Sequence, residues 1–364
     1  MIANMTRLYR TVPSSPRSMA GVSLVELMIA LVLGLIILAG LATIFANSSR
    51  SREDLERSSR QIENGRFAME TLTDDLRLAG FYGELDVKAL PMPGALQDPC
   101  STDPLVWAAA IPLHIQGYDN GTGIPLCIPA ARKADTDVIV VRRAATCEAG
   151  VAGCPPTQNS LPFVQASKCI TIPPALPEAS YVIGSWGTAA FNLRLRNCAT
   201  VAGVRQYFVR IYYISTNNGA GTSIPTLTRL DFTGTGWTTT PLVEGIEEFN
   251  IEYGIDWHGV TLADLPDGAP DDYTTDPTTF TAGGTCTACA ANPAYAWARV
   301  VTARINLLAR NIDPTPNFID GKTYSLGRDA ANAEILVTPG GPYRRHAYTG
   351  MVRIVNAAER QDVP

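Results

Sequence analysis

The chain has 364 residues, enough for one large domain or two ordinary ones, with 46% hydrophobic and 17% charged residues. That composition excludes a disordered chain, which could not bury a core. The net charge of −5, from 29 basic and 34 acidic residues, argues against a nucleic-acid binder that relies on phosphate neutralisation.

Residues 1–21 are polar, carry Arg7, Arg10 and Arg17, and contain no acidic residue. Residues 22–46 then read VSLVELMIALVLGLIILAGLATIFA, with Glu26 as the single charge. As a helix this run spans about 37 Å at ~1.5 Å per residue. A bilayer core is ~30 Å thick, so the run can cross with some tilt. A secretory signal peptide would have a shorter apolar stretch closed by a small-residue cleavage site, and no Ala-x-Ala closes this one before Arg50. A plain membrane anchor fits the length but leaves Glu26 unexplained. A carboxylate in a membrane helix costs roughly 2.5–3.5 kcal/mol, so it is usually functional and paired. Arg50, Arg52, Arg57 and Arg60 follow the run closely, so charge bias leaves its orientation open.

From Asn47 to about Gly80 the pattern stays helical and becomes amphipathic. Leu55, Ile62, Met69 and Leu76 are spaced by seven, and Ala68, Leu72 and Ala79 widen the stripe. No proline interrupts it, and Gly80 and Gly83 are natural stops. The expectation is one helix: a membrane or filament-core part over 22–46, an amphipathic part over 47–80, then a globular domain over 81–364. The stripe is expected to pack on that domain, and the helix charges to face solvent. Gly34 and Gly40 each weaken the first part by ~1 kcal/mol relative to Ala; small residues at helix contacts account for them.

Past Phe81 the signal becomes strands and turns. Residues 137–143, 191–196, 204–215, 226–232, 246–255, 299–310 and 346–355 are rich in β-branched and aromatic side chains. Long loops are expected at 91–130, 144–180 and 256–295. A helix followed by meandering strands predicts an α+β fold with the helix on an antiparallel sheet.

Eight cysteines, Cys100, Cys127, Cys147, Cys154, Cys169, Cys198, Cys286 and Cys289, lie in loop-like sequence and are disulfide candidates. Spacing leaves the connectivity open; Cys147–Cys154 and Cys286–Cys289 are the nearest neighbours. Cys286 and Cys289 have redox or zinc spacing, but no second ligand pair accompanies them. Asp256, Asp264, Asp267, Asp271, Asp272 and Asp276 form an acidic run with oxygen ligands suited to calcium, at a spacing that matches no EF-hand. No metal site is expected there beyond that weak candidate. His114, His258 and His346 are scattered, and no HExxH, Walker loop, GxSxG or dinucleotide fingerprint occurs. Neither an enzyme nor a cofactor is expected.

The run Gly21-Val22-Ser23-Leu24-Val25-Glu26-Leu27 resembles the processing site of type IV prepilins. The stretches 63–70 and 75–81, then 242–249 with 253–256, 300–308, and 343–345 with 352–354, resemble the PilW family of minor type IV pilins, in the family's order. Residues 84–200 match poorly. The resemblance implies cleavage between Gly21 and Val22, methylation of the Val22 amine, and a register role for Glu26. It implies a pilin-like fold, residence in the bacterial inner membrane with the globular domain in the periplasm, and later incorporation in a pilus. The implied partners are other minor pilins, the major pilin, the prepilin peptidase and the inner-membrane assembly platform. The implied role is to initiate or cap pilus assembly. Two other readings stay open: a type II secretion pseudopilin, and a tip adhesin that binds a surface ligand through its long loops.

Overall fold

The computed structural model describes residues 21–121, 123–169, 179–256, 266–279 and 292–361. The expected helix is present as α1, Leu24–Arg77. It runs unbroken through Gly34 and Gly40, where added Cβ atoms would meet nothing within 4 Å. The chain divides into two compact units, the first ending at Leu55 and the second beginning at Glu56.

In the second unit, α1 buries Gln61, Gly65, Ala68, Leu72, Asp75 and Leu76. The expected stripe packs on the domain through Ala68, Leu72, Leu76 and Ala79, with Met69 against them, and fails only at its start. Leu55 and Ile62 stay 68% and 46% exposed, and the buried face is set instead by what it meets. An added Cβ on Gly65 would lie 2.2 Å from the Tyr348 ring, so the helix can approach there only without a side chain. Gln61 Nε2 donates to the Ala309 carbonyl at 2.9 Å, and Asn64 Nδ2 to the Glu244 carbonyl at 3.0 Å.

Two antiparallel sheets make the body of this unit. The first contains β1 (Ile115–Tyr118), β2 (Val138–Ala144), β3 (Pro162–Ala166), β4 (Tyr181–Ser185), β5 (Val204–Ser215), β6 (Thr226–Phe232) and β7 (Trp237–Glu244). Its order is β1-β2-β5-β3-β4, with β6 on β5 and β7 on β6. The second contains β8 (Ile246–Ile255), β9 (Asp272–Thr274), β10 (Val300–Arg310) and β13 (Arg345–Arg353), in the order β13-β10-β8-β9. A hairpin of β11 (Tyr324–Arg328) and β12 (Glu334–Val337) completes the strands. Gly245 alone connects β7 to β8 and so carries the chain from one sheet to the other. It adopts φ +83°, and an added Cβ would lie 2.6 Å from the Arg310 carbonyl oxygen. Only glycine fits both conditions.

One core cluster joins all three layers: Leu72 and Leu76 of α1, Ile139, Val141 and Ile214 of the first sheet, and Phe249, Ile251 and Ile305 of the second. A second cluster, with Val138, Val140, Tyr207 and Ile211, lies on the other face of the first sheet under Tyr82, Trp107 and Ile111. β2 is therefore buried on both faces along its whole length.

Two expectations fail here, and a third is right except at its end. Residues 191–196 form no strand; only Arg194 bridges to Val201. Gln165 captures that backbone instead, accepting from the Leu193 N–H at 3.0 Å and donating to the Ala202 carbonyl at 2.7 Å. The predicted strand over 346–355 ends at Arg353, and a helix, Val355–Gln361, follows. The loops expected at 91–130 and 144–180 hold a helix, Pro104–Ala110, and the strands β1 and β3.

Candidate processing and assembly segment

Gly21, Val22 and Ser23 precede the first helical residue, Leu24. The Ser23 carbonyl accepts the Leu27 N–H at 3.0 Å and opens the helical ladder. Glu26 is exposed and sits in the first turn. There the unpaired N–H groups of the helix start favour a negative charge. A new amine on Val22 would lie at the same end, so the segment would present a cation and an anion within one turn.

The apolar side chains behind them are bare. Val22 is 71% exposed, and Leu24, Leu35, Ile36, Leu38, Ile44 and Phe45 are all more than half exposed. Among the described residues α1 is the one helix long and apolar enough to cross a membrane; its most apolar window has mean hydropathy 2.8, with none of it buried. Thr43 within this run turns its hydroxyl onto the Gly40 carbonyl at 2.7 Å and so satisfies its own donor. Burying the exposed side chains would yield roughly 1.5–3 kcal/mol each, so this half of α1 is built to be covered by lipid or by other helices.

The second half is held by polar contacts. Asp75 lies on the buried face of α1, where its Oδ1 meets Arg143 Nε at 2.6 Å and Arg210 Nη1 at 2.7 Å. The Tyr212 hydroxyl donates to Oδ2 at 2.7 Å. Burial by itself pushes this carboxyl up, but Arg210, Arg143 and the Tyr212 hydroxyl outweigh it and hold the group below the usual carboxylate range. Both guanidiniums also lie over the Phe208 ring, at 5.0 and 4.7 Å. At the end of α1, His114 is buried with Nε2 2.7 Å from the Val300 carbonyl. Burial, reinforced by Arg360, lowers it to about 3. Arg360 donates to the Gly80 carbonyl, and Asn356 Nδ2 donates to that of Ala79 at 3.2 Å. The C-terminal helix thus places a cation against the negative end of α1. Sequence spacing did not reveal this anchor, because a lone Asp on a charged helix reads as a solvated residue.

Among the described residues three disulfides are formed: Cys100–Cys127, Cys147–Cys154 and Cys169–Cys198. Cys286, Cys289, His258 and Asp264 lie outside the described residues. Four of the other acids of the candidate calcium run accept from the local backbone. Asp256 accepts the Gly268 N–H at 2.7 Å, Asp267 that of Ala269, Asp272 that of Tyr273, and Asp276 that of Thr278. Burial pushes Asp256 up to about 6. Among the described residues no three His, Cys, Asp or Glu side chains converge as metal ligands.

Residues 211–356 match the family described as Type IV Pilus-assembly protein W, and residues 16–42 match the prokaryotic N-terminal methylation motif. No curated protein matches the chain significantly. Among solved structures, the type IV-like pilin TTHA1219 from Thermus thermophilus is similar over 63% of this chain and 80% of that chain, at 15% identity and a TM-score of 0.24. The family match begins within β5 and ends after β13, so it takes in the Gly245 crossover and the whole second sheet. The two matches, to the prokaryotic N-terminal methylation motif and to the type IV pilus-assembly protein W family, thus fall in the order that the sequence leads one to expect.

Proposed function

We propose that this protein is a minor type IV pilin that helps to initiate or cap pilus assembly. The observation that carries the reading is the bare apolar half of α1, with Glu26 in its first turn, ahead of a domain whose second sheet matches the PilW family.

In this reading a prepilin peptidase cuts between Gly21 and Val22, and the Val22 amine is methylated. The protein waits in the inner membrane with its domain and disulfides in the periplasm, an oxidising compartment. The assembly platform then transfers it into the filament beside the major pilin and other minor pilins. Glu26 pairs there with the Val22 amine of a neighbouring subunit. An amine and a carboxylate that meet in an apolar filament core satisfy each other, whereas either alone is heavily penalised. That pairing sets the axial register.

A chromosomal deletion scored for surface pili and twitching tests the role. The expected result is loss of pili, restored by the wild-type gene but not by Glu26→Ala. Unchanged piliation would sink the proposal, and intact pili with impaired protein secretion would favour the pseudopilin reading.

A further inference from the structure

The second sheet has one apolar and one polar face. Phe249, Ile251 and Ile305 point into the core. On the opposite face the register sets Glu252 beside Arg304, and Asn306 between Asn250 and Thr349. Glu252 and Asn306 are only 4% and 2% exposed, a degree of burial seldom given to such side chains.

The β11–β12 hairpin approaches this face. The Arg328 N–H donates to Glu252 Oε1 at 3.2 Å, and Gly327, at φ +90°, comes so close that an added Cβ would stand 2.5 Å from both Asn306 Nδ2 and Glu252 Oε1. Beside that contact a broad, open cleft of about 530 Å³ lies between hairpin and sheet. Its volume falls within the ~300–1,000 Å³ of small-molecule sites.

The lining decides what such a cleft can hold. Glu252 and Glu334 balance Arg304 and Arg328, so no net charge favours an ion. The remaining side chains are the amides of Asn306 and Asn332 and the hydroxyls of Ser325 and Thr349. No aliphatic or aromatic side chain lines it, so an apolar ligand would gain nothing there. Two of the polar groups are held in place: Arg304 Nη1 donates to Glu252 Oε2 at 2.8 Å, with its guanidinium over the Tyr273 ring at 4.3 Å. One is left short. Asn306 Oδ1 accepts from the Thr349 hydroxyl at 2.9 Å, but Nδ2 is buried without a protein partner. An unmet buried donor costs about 1–3 kcal/mol.

We propose that this cleft binds a neutral saccharide of one or two rings, with the Asn306 and Asn332 amides, Arg328 and Glu252 meeting ring hydroxyls. A ligand dense in hydroxyl groups and free of charge is the class whose donors and acceptors match this lining. The site is separate from the apolar helix and from the long loops, so it stands or falls independently of the pilin role.

Saturation-transfer NMR of the full-length protein in lipid nanodiscs tests it, with maltose, lactose, cellobiose and diacetylchitobiose as probes and glucuronate as a charged control. At least one neutral disaccharide is expected to receive saturation, with millimolar affinity. Binding should weaken about tenfold or more in Asn306→Ala and in Asn332→Gly. Asn332 is exposed and at positive φ, so its glycine variant keeps the fold and decides the matter if Asn306→Ala does not fold. The proposal is overturned by no transfer to any of the four sugars, by undiminished transfer in the folded variants, or by glucuronate binding as well as the best neutral sugar.

Discussion

The two halves of α1 invert the usual relation between hydrophobicity and burial. The first half is almost wholly apolar and bare; the second is charged and buries Gln61, Gly65, Ala68, Leu72, Asp75 and Leu76. One helix therefore meets two environments by different physics. The bare half needs only apolar area and suits any lipid or helix bundle that covers it. The docked half depends on specific partners: Tyr348 against Gly65, Ala309 against Gln61, and two arginines against Asp75. A half that needs only apolar cover is undemanding in its contacts, while a half that holds a domain is particular.

This contrast predicts where the molecule breaks. The largest effect is expected from acid. His114 has an ordinary value near 6.5, and its folded value is lowered to about 3. The folded state therefore binds fewer protons than the unfolded state between those limits. The stability that depends on neutral His114 is complete above about pH 6.5 and is lost as pH falls toward 3, by up to about 5 kcal/mol. Urea unfolding of His114→Gln should show a markedly flatter pH dependence across that window; an unchanged slope would remove His114 from the account.

Asp75→Ala comes next. It leaves Arg143 buried without its anion and Arg210 with only Asp231, 3.5 Å away, at a cost of about 3–5 kcal/mol, read as a lowered urea midpoint at neutral pH. The lowered folded value of Asp75 also gives it a sign. Its contribution is present above the unfolded value near 4 and fades as pH falls through the folded value. Asp75→Asn should therefore lose most of its deficit in strong acid. A variant within about 0.5 kcal/mol of wild type at pH 7 would show that the cluster is no anchor.

The smaller effects sharpen the comparison. Gly65→Ala should cost roughly 1–3 kcal/mol by crowding the Tyr348 ring. Most of that loss should vanish when Tyr348→Ala is added, a coupling that a double-mutant cycle measures directly. In the bare half, Leu35→Ala should leave the unfolding of the globular domain within about 0.5 kcal/mol of wild type. A loss as large as that of Gly65→Ala would mean that the two halves do not differ in the way described.

Much of this design is legible in the sequence, and the parts that are not share a cause. The uninterrupted helix and strands such as β5, β8 and β10 follow from periodicity and β-branched composition, which are local signals. The stripe is right from Ala68 to Ala79 and wrong at Leu55 and Ile62, because heptad spacing cannot know that Tyr348, nearly 300 residues away, packs on Gly65. Asp75 and His114 look like a solvated charge and a lone histidine until the sheet supplies Arg143, Arg210 and the Val300 carbonyl. β3 lies in sequence that reads as loop, and residues 191–196 have strand-like composition, but the Leu193 N–H goes to the Gln165 side chain and the Leu195 N–H to the Thr200 carbonyl. Removing 91–180, which seems a clean way to separate adhesion from assembly, would take out β2, buried throughout. The apolar run and the methylation motif over 16–42 are legible because their signal is local; in the docked half the apolar stripe of Ala68, Leu72, Leu76 and Ala79 is legible, whereas the long-range polar contacts of Gln61 and Asp75 are not.

The central claim is that the chain is cut before its bare helix and enters a filament through it. Mass spectrometry of pili sheared from cells tests this directly. The account predicts a low-abundance peptide from this protein that begins at Val22 and carries one methyl group on its amine. Its absence from purified pili, or an intact N-terminal leader on the protein found there, would contradict it.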